Sequence, residues 1–282
     1  MKNQPLIGFI VILLSLVKVA HAQTSLVGPG SSYSTPFSPA STITYGVPGG
    51  GLVSVTLADG IATSTSGIWD LTAQGGANAT ILFSLNESAA QTALTGTALQ
   101  FNISNDNNSL LGLLGVGTSI HYAWEAVAYF DTPGSVLNYT ADTTYSITFD
   151  VDGNDGLLSS VAGLNPSFTF ELIDGLGNAL ASNSDGTQVN IIGLLGTGVP
   201  TGTLAIDYTL GSSLPSDPIG IRFRGDAQVG ATALSLGTTY ASISNLTMTA
   251  TPVPEPGGSV LIASVGLAML LRRRRLQAPS FA

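Results

Sequence analysis

Apolar and polar residues alternate along much of this chain. The clearest case covers residues 144–151, where every second residue from Tyr145 to Val151 is apolar and the residues between them are polar. A period of two places alternate side chains on opposite faces of a β-strand. The segment therefore predicts a strand with one buried face and one exposed face.

Similar segments recur, and they bring the number of predicted strands to about nine or ten. Asp-Gly pairs at 59–60, 174–175 and 185–186 predict turns between them, because these residues adopt positive φ at low cost. No helical period separates the strands, so we predict an all-β fold, an antiparallel two-sheet sandwich of jelly-roll type. The alternating segments are residues 99–103, 168–172, 204–210 and 219–223, and the further apolar runs are residues 52–57, 81–85, 120–130 and 189–192.

The last predicted strand, residues 240–250, changes parity part-way along. Ile243 falls on the opposite face from Leu246 and Met248 if the alternation is unbroken. A β-bulge near Ser244 or Asn245 would return all three side chains to one face.

Two segments have the composition of loops. Residues 28–39 are rich in Ser and Pro, and residues 193–202 are rich in Gly. We therefore predict a flexible lead over residues 23–42 and a β-sandwich domain over residues 43–251, with a loop at 193–202.

Residues 1–22 have the organisation of a secretory signal peptide. Lys2 precedes an apolar run over residues 6–17, and Ala20-His21-Ala22 follows it. Small residues at such positions suit signal peptidase, so we expect cleavage after Ala22. The run would form roughly 18 Å of helix, which is too short to be a permanent anchor in a hydrocarbon core of about 30 Å.

The residues after 252 have a different character from the domain. Val253-Pro254-Glu255-Pro256 is followed by Gly257-Gly258, by an apolar run over residues 259–271 and by four arginines at 272–275. Arginine clusters stop transfer through a membrane, so the globular part is expected outside the cytoplasm. Residues 257–271 would form roughly 22 Å of helix, a short transmembrane span.

In this order, the Pro-Glu-Pro tripeptide, the short helix and the arginines resemble the PEP-CTERM sorting signal. The resemblance covers residues 252–276 and leaves a tail at 277–282. It implies that an exosortase recognises the tripeptide and cuts near it, and that the arginines act as the stop-transfer signal. The sorting residues are Pro254, Glu255 and Pro256, and the stop-transfer residues are Arg272, Arg273, Arg274 and Arg275.

The resemblance also implies a location. Members of the family begin as inner-membrane-anchored precursors and pass to the cell surface or extracellular matrix of Gram-negative bacteria that make exopolysaccharide. Their central regions differ widely, so the resemblance indicates a cellular location and does not indicate an activity.

Charge is very unequal within the predicted domain. Arg222 and Arg224 are its two basic residues, and set against sixteen acidic residues they leave a formal net charge of −14. Such a surface repels nucleic acid and anionic lipid. Cysteine is absent from the chain, which excludes disulfides, thiolate metal sites and cysteine nucleophiles.

The residues give little support to an enzyme. His121 is the only histidine after the predicted signal peptide, and neither a Gly-x-Ser-x-Gly motif nor clustered metal-ligand spacing accompanies it. We interpret it as a structural strand histidine. Paired carboxylates could serve glycoside hydrolysis, but no pair stands out among sixteen acids. We therefore predict no catalytic residue and no required cofactor.

The strongest candidate metal site follows the strand at 144–151. Asp150, Asp152, Asn154 and Asp155 offer closely spaced oxygen atoms on a glycine-containing turn, which suits calcium. The segment is not an EF-hand, because Asp155 stands where that loop needs glycine. We favour a solvated turn over calcium, since Asp150 and Asp152 would lie about 7 Å apart on one strand face.

Four aromatic residues could stack on a sugar: Trp69, Tyr122, Trp124 and Tyr129. We favour core packing for each, because aromatic side chains bury large areas and the alternation does not tell which face looks outward. Arg222 and Arg224 share one strand face, where they could bind acidic sugars or, as we prefer, pair with acidic side chains.

These features predict an exported cell-surface or extracellular-matrix protein. Its β-sandwich would be non-enzymatic, either structural or polysaccharide-binding. The expected partners are signal peptidase, exosortase and the membrane before processing, with exopolysaccharide as the candidate ligand and no nucleic acid. A secreted carbohydrate-active enzyme, either a glycoside hydrolase or a lyase, is the alternative.

Overall fold

The computed structural model describes residues 22–47, 55–79, 88–105, 119–153, 167–180, 189–190, 201–230 and 238–253. These residues contain no helix, which confirms the predicted all-β class. They form thirteen strands: β1 (Thr24–Val27), β2 (Ser41–Val47), β3 (Val55–Ser66), β4 (Trp69–Ala79), β5 (Ser88–Leu94), β6 (Ala98–Asn105), β7 (Ser119–Tyr129), β8 (Thr143–Gly153), β9 (Ser167–Ile173), β10 (Val189–Asn190), β11 (Gly202–Leu210), β12 (Gly220–Gly230) and β13 (Thr238–Pro252).

The strands form two antiparallel sheets, as predicted. Sheet A has the order β11-β8-β13-β6-β5-β2, and β1 lies beside the second half of β13. Sheet B has the order β10-β9-β12-β7-β4-β3.

Eight of these strands form four nested antiparallel pairs. The pairs are β6 with β13, β7 with β12, β8 with β11, and β9 with β10. Successive pairs alternate between sheet A and sheet B. Four of the five remaining strands extend both sheets on the same side: β5 and β2 continue sheet A beyond β6, while β4 and β3 continue sheet B beyond β7.

Aromatic rings from both sheets fill the space between them. The Phe149 ring of β8 packs against Phe170 and Phe223 of sheet B, with ring centroids 4.9 and 5.2 Å apart. The Trp124 ring of β7 packs against Phe101 and Tyr240 of sheet A, at 6.0 and 4.8 Å. This core confirms the predicted sandwich, because side chains from the two inner faces meet in one apolar layer.

A β-bulge interrupts β13 where the change of parity predicted one. The register with β8 shifts between Ser244 and Thr247, and Asn245 adopts a φ of 51°. Ile243, Leu246 and Met248 are all buried as a result. The predicted bulge is therefore confirmed.

The structure differs from the predicted flexible lead over residues 23–42. β1 pairs with β13, and β2 pairs with β5 along its whole length. Tyr33 and Phe37 lie between these strands in sequence and are buried in the core, 6% and 2% exposed. The prediction was wrong because a few apolar side chains can anchor a Ser- and Pro-rich segment that has no alternation of its own.

The predicted turn at Asp59-Gly60 was also wrong. β3 continues through these residues, and its register with β4 shifts between Leu57 and Gly60, which marks a bulge. An added Cβ at Gly60 would lie 1.8 Å from the Tyr45 hydroxyl, so a larger residue there would displace the Tyr45 ring. The Asp174-Gly175 turn is confirmed, since the Gly177 amide donates to the Asp174 carbonyl at 2.8 Å.

Several predictions fall on residues that are not described. They are the strand at 81–85, the turn at 185–186 and nearly all of the loop at 193–202. The signal peptide up to residue 21 and the sorting signal from residue 254 onward also lie outside the described residues. Within the described part of the chain, no helix is long and apolar enough to cross a membrane.

Candidate functional site

The outer face of sheet B carries both arginines of the domain. Arg224 lies between buried Phe223 and Gly225 on β12, so the alternation of the strand directs its side chain outward. The register places it directly opposite Glu125 on β7 and Thr169 on β9. Arg224 therefore lies in one row with an acidic and a hydroxyl side chain across three neighbouring strands.

Each arginine pairs with a glutamate on a neighbouring strand. Arg222 contacts Glu171 through its guanidinium and donates to the Gly177 carbonyl at 3.2 Å. Arg224 contacts Glu125, and its Nη1 lies 3.8 Å from the Glu171 carboxylate. The predicted pairing of both arginines with acids is confirmed. The Arg222 pair is more enclosed than a surface pair, with side chains 14% and 6% exposed.

A third side chain contacts a carboxylate further along the same face. Nε2 of His121 on β7 is 2.7 Å from a carboxylate oxygen of Asp226 on β12. Both side chains are partly exposed. The strand histidine thus has a carboxylate partner on the adjacent strand.

A shallow depression of about 360 Å³ lies among these charged groups. Its lining includes Ala123, whose side chain is smaller than those of its neighbours Gln74 and Glu125. We call it the sheet B depression. It can offer hydrogen-bond donors from Gln74 and Arg224 and acceptors from Glu125 and Asp226. Its lining includes Ile61, Thr72, Gln74, Ala123, Glu125, Thr169, Arg224 and Asp226.

Three of the four candidate sugar-stacking rings lie in the core. Trp69, Tyr122 and Trp124 are 0%, 3% and 2% exposed, so their faces are not open to a ligand. This corrects the sugar-contact hypothesis for these residues in favour of core packing. The physical reason is parity: Tyr122 and Trp124 share the face of β7 that meets sheet A, while Glu125 shares the opposite face with His121.

Tyr129 is the fourth candidate ring, and it is only half-buried. It lies beside Gly177, where an added Cβ would be 3.3 Å from the Tyr129 hydroxyl. Desolvation raises the pKa of this hydroxyl despite the opposing effect of the Arg222 charge. Because part of its side chain is exposed, Tyr129 stays a candidate for contact with a ligand.

Asp150 and Asp152 lie on the outer side of sheet A, away from the arginines. Asn245 donates to one Asp150 oxygen at 2.7 Å and Thr203 donates to the other. These hydrogen bonds hold the pKa of Asp150 below its usual value. The described residues hold no cluster of three or more His, Cys, Asp or Glu side chains suited to a metal. Asn154 and Asp155 lie outside the described residues, so the preference for a solvated turn over calcium stays a prediction.

The sequence did not indicate which residues surround the arginines. Glu125, Gln74 and Asp226 come from three different strands, and only the pairing of β4, β7 and β12 brings them together. The sequence of β7 did indicate that Glu125 lies on the opposite face of the strand from Trp124, because the two residues are adjacent.

Comparison with known proteins adds no functional information. No family model and no curated protein matches the chain. Structures of infectious bursal disease virus match at low similarity. The VP2 subviral particle has 13% identity, covers 65% of this chain and 42% of its own, and gives a TM-score of 0.23. The Gx strain structure has 13% identity, 83% and 55% coverage, and a TM-score of 0.24. The chain spans about half the length of these viral proteins, and such TM-scores carry no argument.

Proposed function

We propose that this chain is an exported protein of the bacterial cell surface or extracellular matrix, delivered through a PEP-CTERM sorting signal. The ordered set of Pro254-Glu255-Pro256, apolar run and Arg272–Arg275 is the observation that carries the address. The signal peptide at the other end of the chain supports the same route. Signal peptidase and an exosortase would be transient partners, and the C-terminal helix would hold the precursor in the inner membrane.

We further propose that the sandwich is a jelly roll. The four nested pairs of strands, alternating between the two sheets, support this assignment. Jelly rolls are used widely as binding and structural modules, and a fold of this kind supplies a scaffold without specifying an activity.

The domain would act without catalysis, as a structural or polysaccharide-binding module. Glu125 and Glu171 are both held by arginines. A glycoside hydrolase needs instead one carboxylic acid that donates a proton and a second carboxylate that acts as base or nucleophile. Depressions in the described surface that are lined by hydrogen-bonding side chains support binding.

One assay distinguishes binding from catalysis. The full-length chain, purified in detergent, is expected to sediment with insoluble polysaccharide and to release no reducing sugar during prolonged incubation. Turnover that disappears in Glu125→Gln or Glu171→Gln would instead identify a carbohydrate-active enzyme.

The address has its own test. The mass of the protein recovered from the surface of its native host is expected to show removal of residues 1–22 and a second cleavage near Pro254. Replacement of Glu255 by Ala should leave the precursor in the inner membrane. Recovery of the intact chain from cytosol would contradict export.

A further inference from the structure

A second, larger cleft lies at one end of the sandwich, away from the sheet B depression. It has a volume of about 620 Å³, within the range of about 300–1,000 Å³ found for small-molecule sites. Three segments form it: the chain between β1 and β2, the β3–β4 turn, and the loop after β7. We call it the end cleft. Its lining is Ser32, Tyr33, Thr35, Pro36, Ser38, Gly67, Ile68, Asp131, Thr132 and Pro133.

Hydrogen bonds fix the three segments to one another. The Tyr33 hydroxyl donates to the Ser135 carbonyl at 2.8 Å and accepts from the Thr132 amide at 3.0 Å. The Trp69 indole donates to the Pro36 carbonyl at 2.6 Å. A ligand that entered the end cleft would therefore meet walls that are already ordered, which lowers the entropic cost of binding.

The β3–β4 turn approaches the N-terminal segment too closely for a side chain. Gly67 has a φ of +61°, and an added Cβ would lie 2.7 Å from the Ser38 carbonyl oxygen. Ser66 donates to the Pro39 carbonyl at 3.4 Å from the same turn. The turn thus forms a fixed wall of the end cleft.

The chemistry of the lining favours a neutral ligand rich in hydroxyl groups. Ser32, Thr35 and Ser38 are exposed, and among the described residues their hydroxyls make no side-chain hydrogen bond. Among the described residues that line the end cleft, Asp131 is the only charged one. A carboxylate accepts strong hydrogen bonds from hydroxyl groups, and within a domain of net charge −14 it repels anions.

Apolar surface complements these polar groups. Pro36, Ile68 and Pro133 offer carbon surface between the hydroxyls. A small number of polar groups set among apolar ones is the usual composition of a site that orients a ligand. A saccharide ring matches this surface, since it presents hydroxyl groups at its edge and C–H groups on its faces.

We propose that the end cleft binds a neutral oligosaccharide segment, with Asp131 accepting hydrogen bonds from sugar hydroxyls. The inference rests on the proposed binding function and names its site and ligand class. The sheet B depression, with its arginines and paired acids, would then serve the stability of the sheet and not ligand recognition.

Calorimetric titration of the full-length chain in detergent tests this assignment. The probes are hexasaccharides of neutral glucan, mannan, galactan and xylan, together with an anionic alginate hexasaccharide. At least one neutral probe should bind, and the alginate probe should not. Asp131→Asn should weaken binding of the neutral probe about tenfold, or about 1.4 kcal/mol, because a neutral amide oxygen accepts weaker hydrogen bonds than a carboxylate. Thr35→Trp should abolish binding by filling the end cleft.

Two controls separate the site from general effects of charge. Asp207→Asn removes the same charge from an exposed position on β11, and Asp226→Asn alters the sheet B depression. Neither should change affinity for the neutral probe. Asp131→Asn keeps the shape of the side chain, so the test does not depend on the folding of the Trp variant.

The outcomes distinguish failure of the end cleft as the binding site from failure of the proposed binding function. Neutral binding that resists Asp131→Asn and Thr35→Trp but falls in Asp226→Asn would overturn the end cleft and leave a binding function in place. Binding of alginate alone would overturn the neutral ligand class. No binding of any probe would overturn the inference, and if insoluble polysaccharides also failed to bind, the proposed binding function would fail with it.

Discussion

Arg222 and Arg224 stand two residues apart on one strand, yet they lie in different environments. The Arg222 and Glu171 side chains are 14% and 6% exposed, whereas Arg224 and Glu125 are 46% and 34% exposed. Removing one member of an enclosed pair leaves an uncompensated charge with little access to water. The same change at the surface leaves a hydrated charge.

This contrast predicts unequal effects of one substitution. Arg222→Met should lower the free energy of unfolding by about 3–5 kcal/mol, and Arg224→Met by about 0–1 kcal/mol. Urea unfolding of both variants measures the difference. Equal losses would show that enclosure does not distinguish the two pairs.

Asp174 stabilises the turn after β9 as an anion. Although desolvation opposes the effect, hydrogen bonds from the Asn178 side chain and from the Asn178 and Leu176 amides hold its pKa below the usual value. A depressed folded pKa means that the carboxylate contributes stability above the ordinary Asp pKa of about 4 and loses it as pH falls below that value.

Asp174→Ala should therefore cost about 1–3 kcal/mol at pH 7. The difference from the wild type should shrink as pH falls below about 4, because the wild-type carboxyl is then protonated as well. Chemical unfolding at pH 7 and pH 3 measures this change. A difference that is constant with pH would contradict the anionic role.

At the scale of single elements, the bulge in β13 depends on a positive φ. Asn245 has a φ of 51° and also donates a hydrogen bond to Asp150 at 2.7 Å. Asn accepts this conformation more readily than a β-branched residue. The bulge therefore joins two regular halves of β13 at a residue type that adopts a positive φ at low cost.

Two substitutions separate backbone strain from the lost hydrogen bond. Both Asn245→Val and Asn245→Gly remove the bond to Asp150, but only Val is strained at positive φ. We expect Val to be less stable than Gly by about 1–3 kcal/mol in thermal unfolding. Ser242→Val, in the regular part of β13, provides the control and should have little effect.

The segment between β1 and β2 behaves as core rather than as a lead. The Phe37 ring stacks on Trp69 with a centroid distance of 5.7 Å and an interplanar angle of 18°. Phe37→Ala should cost about 3–5 kcal/mol in urea unfolding. Leu214→Ala, at a side chain that is 56% exposed, should change stability by less than about 0.5 kcal/mol. A negligible effect of Phe37→Ala on the free energy of unfolding would instead favour the predicted flexible lead over residues 23–42.

At the scale of the whole molecule, stability has to overcome self-repulsion. A net charge of −14 over the domain destabilises the compact state, and salt screens that repulsion. The melting temperature of the full-length chain should therefore rise with sodium chloride. Calcium chloride at matched ionic strength distinguishes general screening from a site at Asp150 and Asp152. An additional rise that a chelator reverses would indicate bound calcium.

The sequence alone determined the all-β class and the two-layer arrangement, because alternation such as that of β8 is a local property of the chain. It also determined the bulge in β13, since Ile243 and Leu246 could share a face only through a local shift. It missed β4 and β5, where small residues such as Ala73 and Ala90 occupy core positions and weaken the contrast between faces.

The tertiary structure decided what depends on contacts between distant residues. Parity placed Trp124 and Glu125 on opposite faces of β7, but only the packing of two sheets fixed which face is inside. The anchoring of Phe37 on Trp69 and the meeting of Tyr33 with the loop after β7 join residues far apart in sequence. A periodic pattern predicts the two faces of one strand but does not identify the strands or loops that pack beside it. The end cleft could therefore be recognised only in the folded structure.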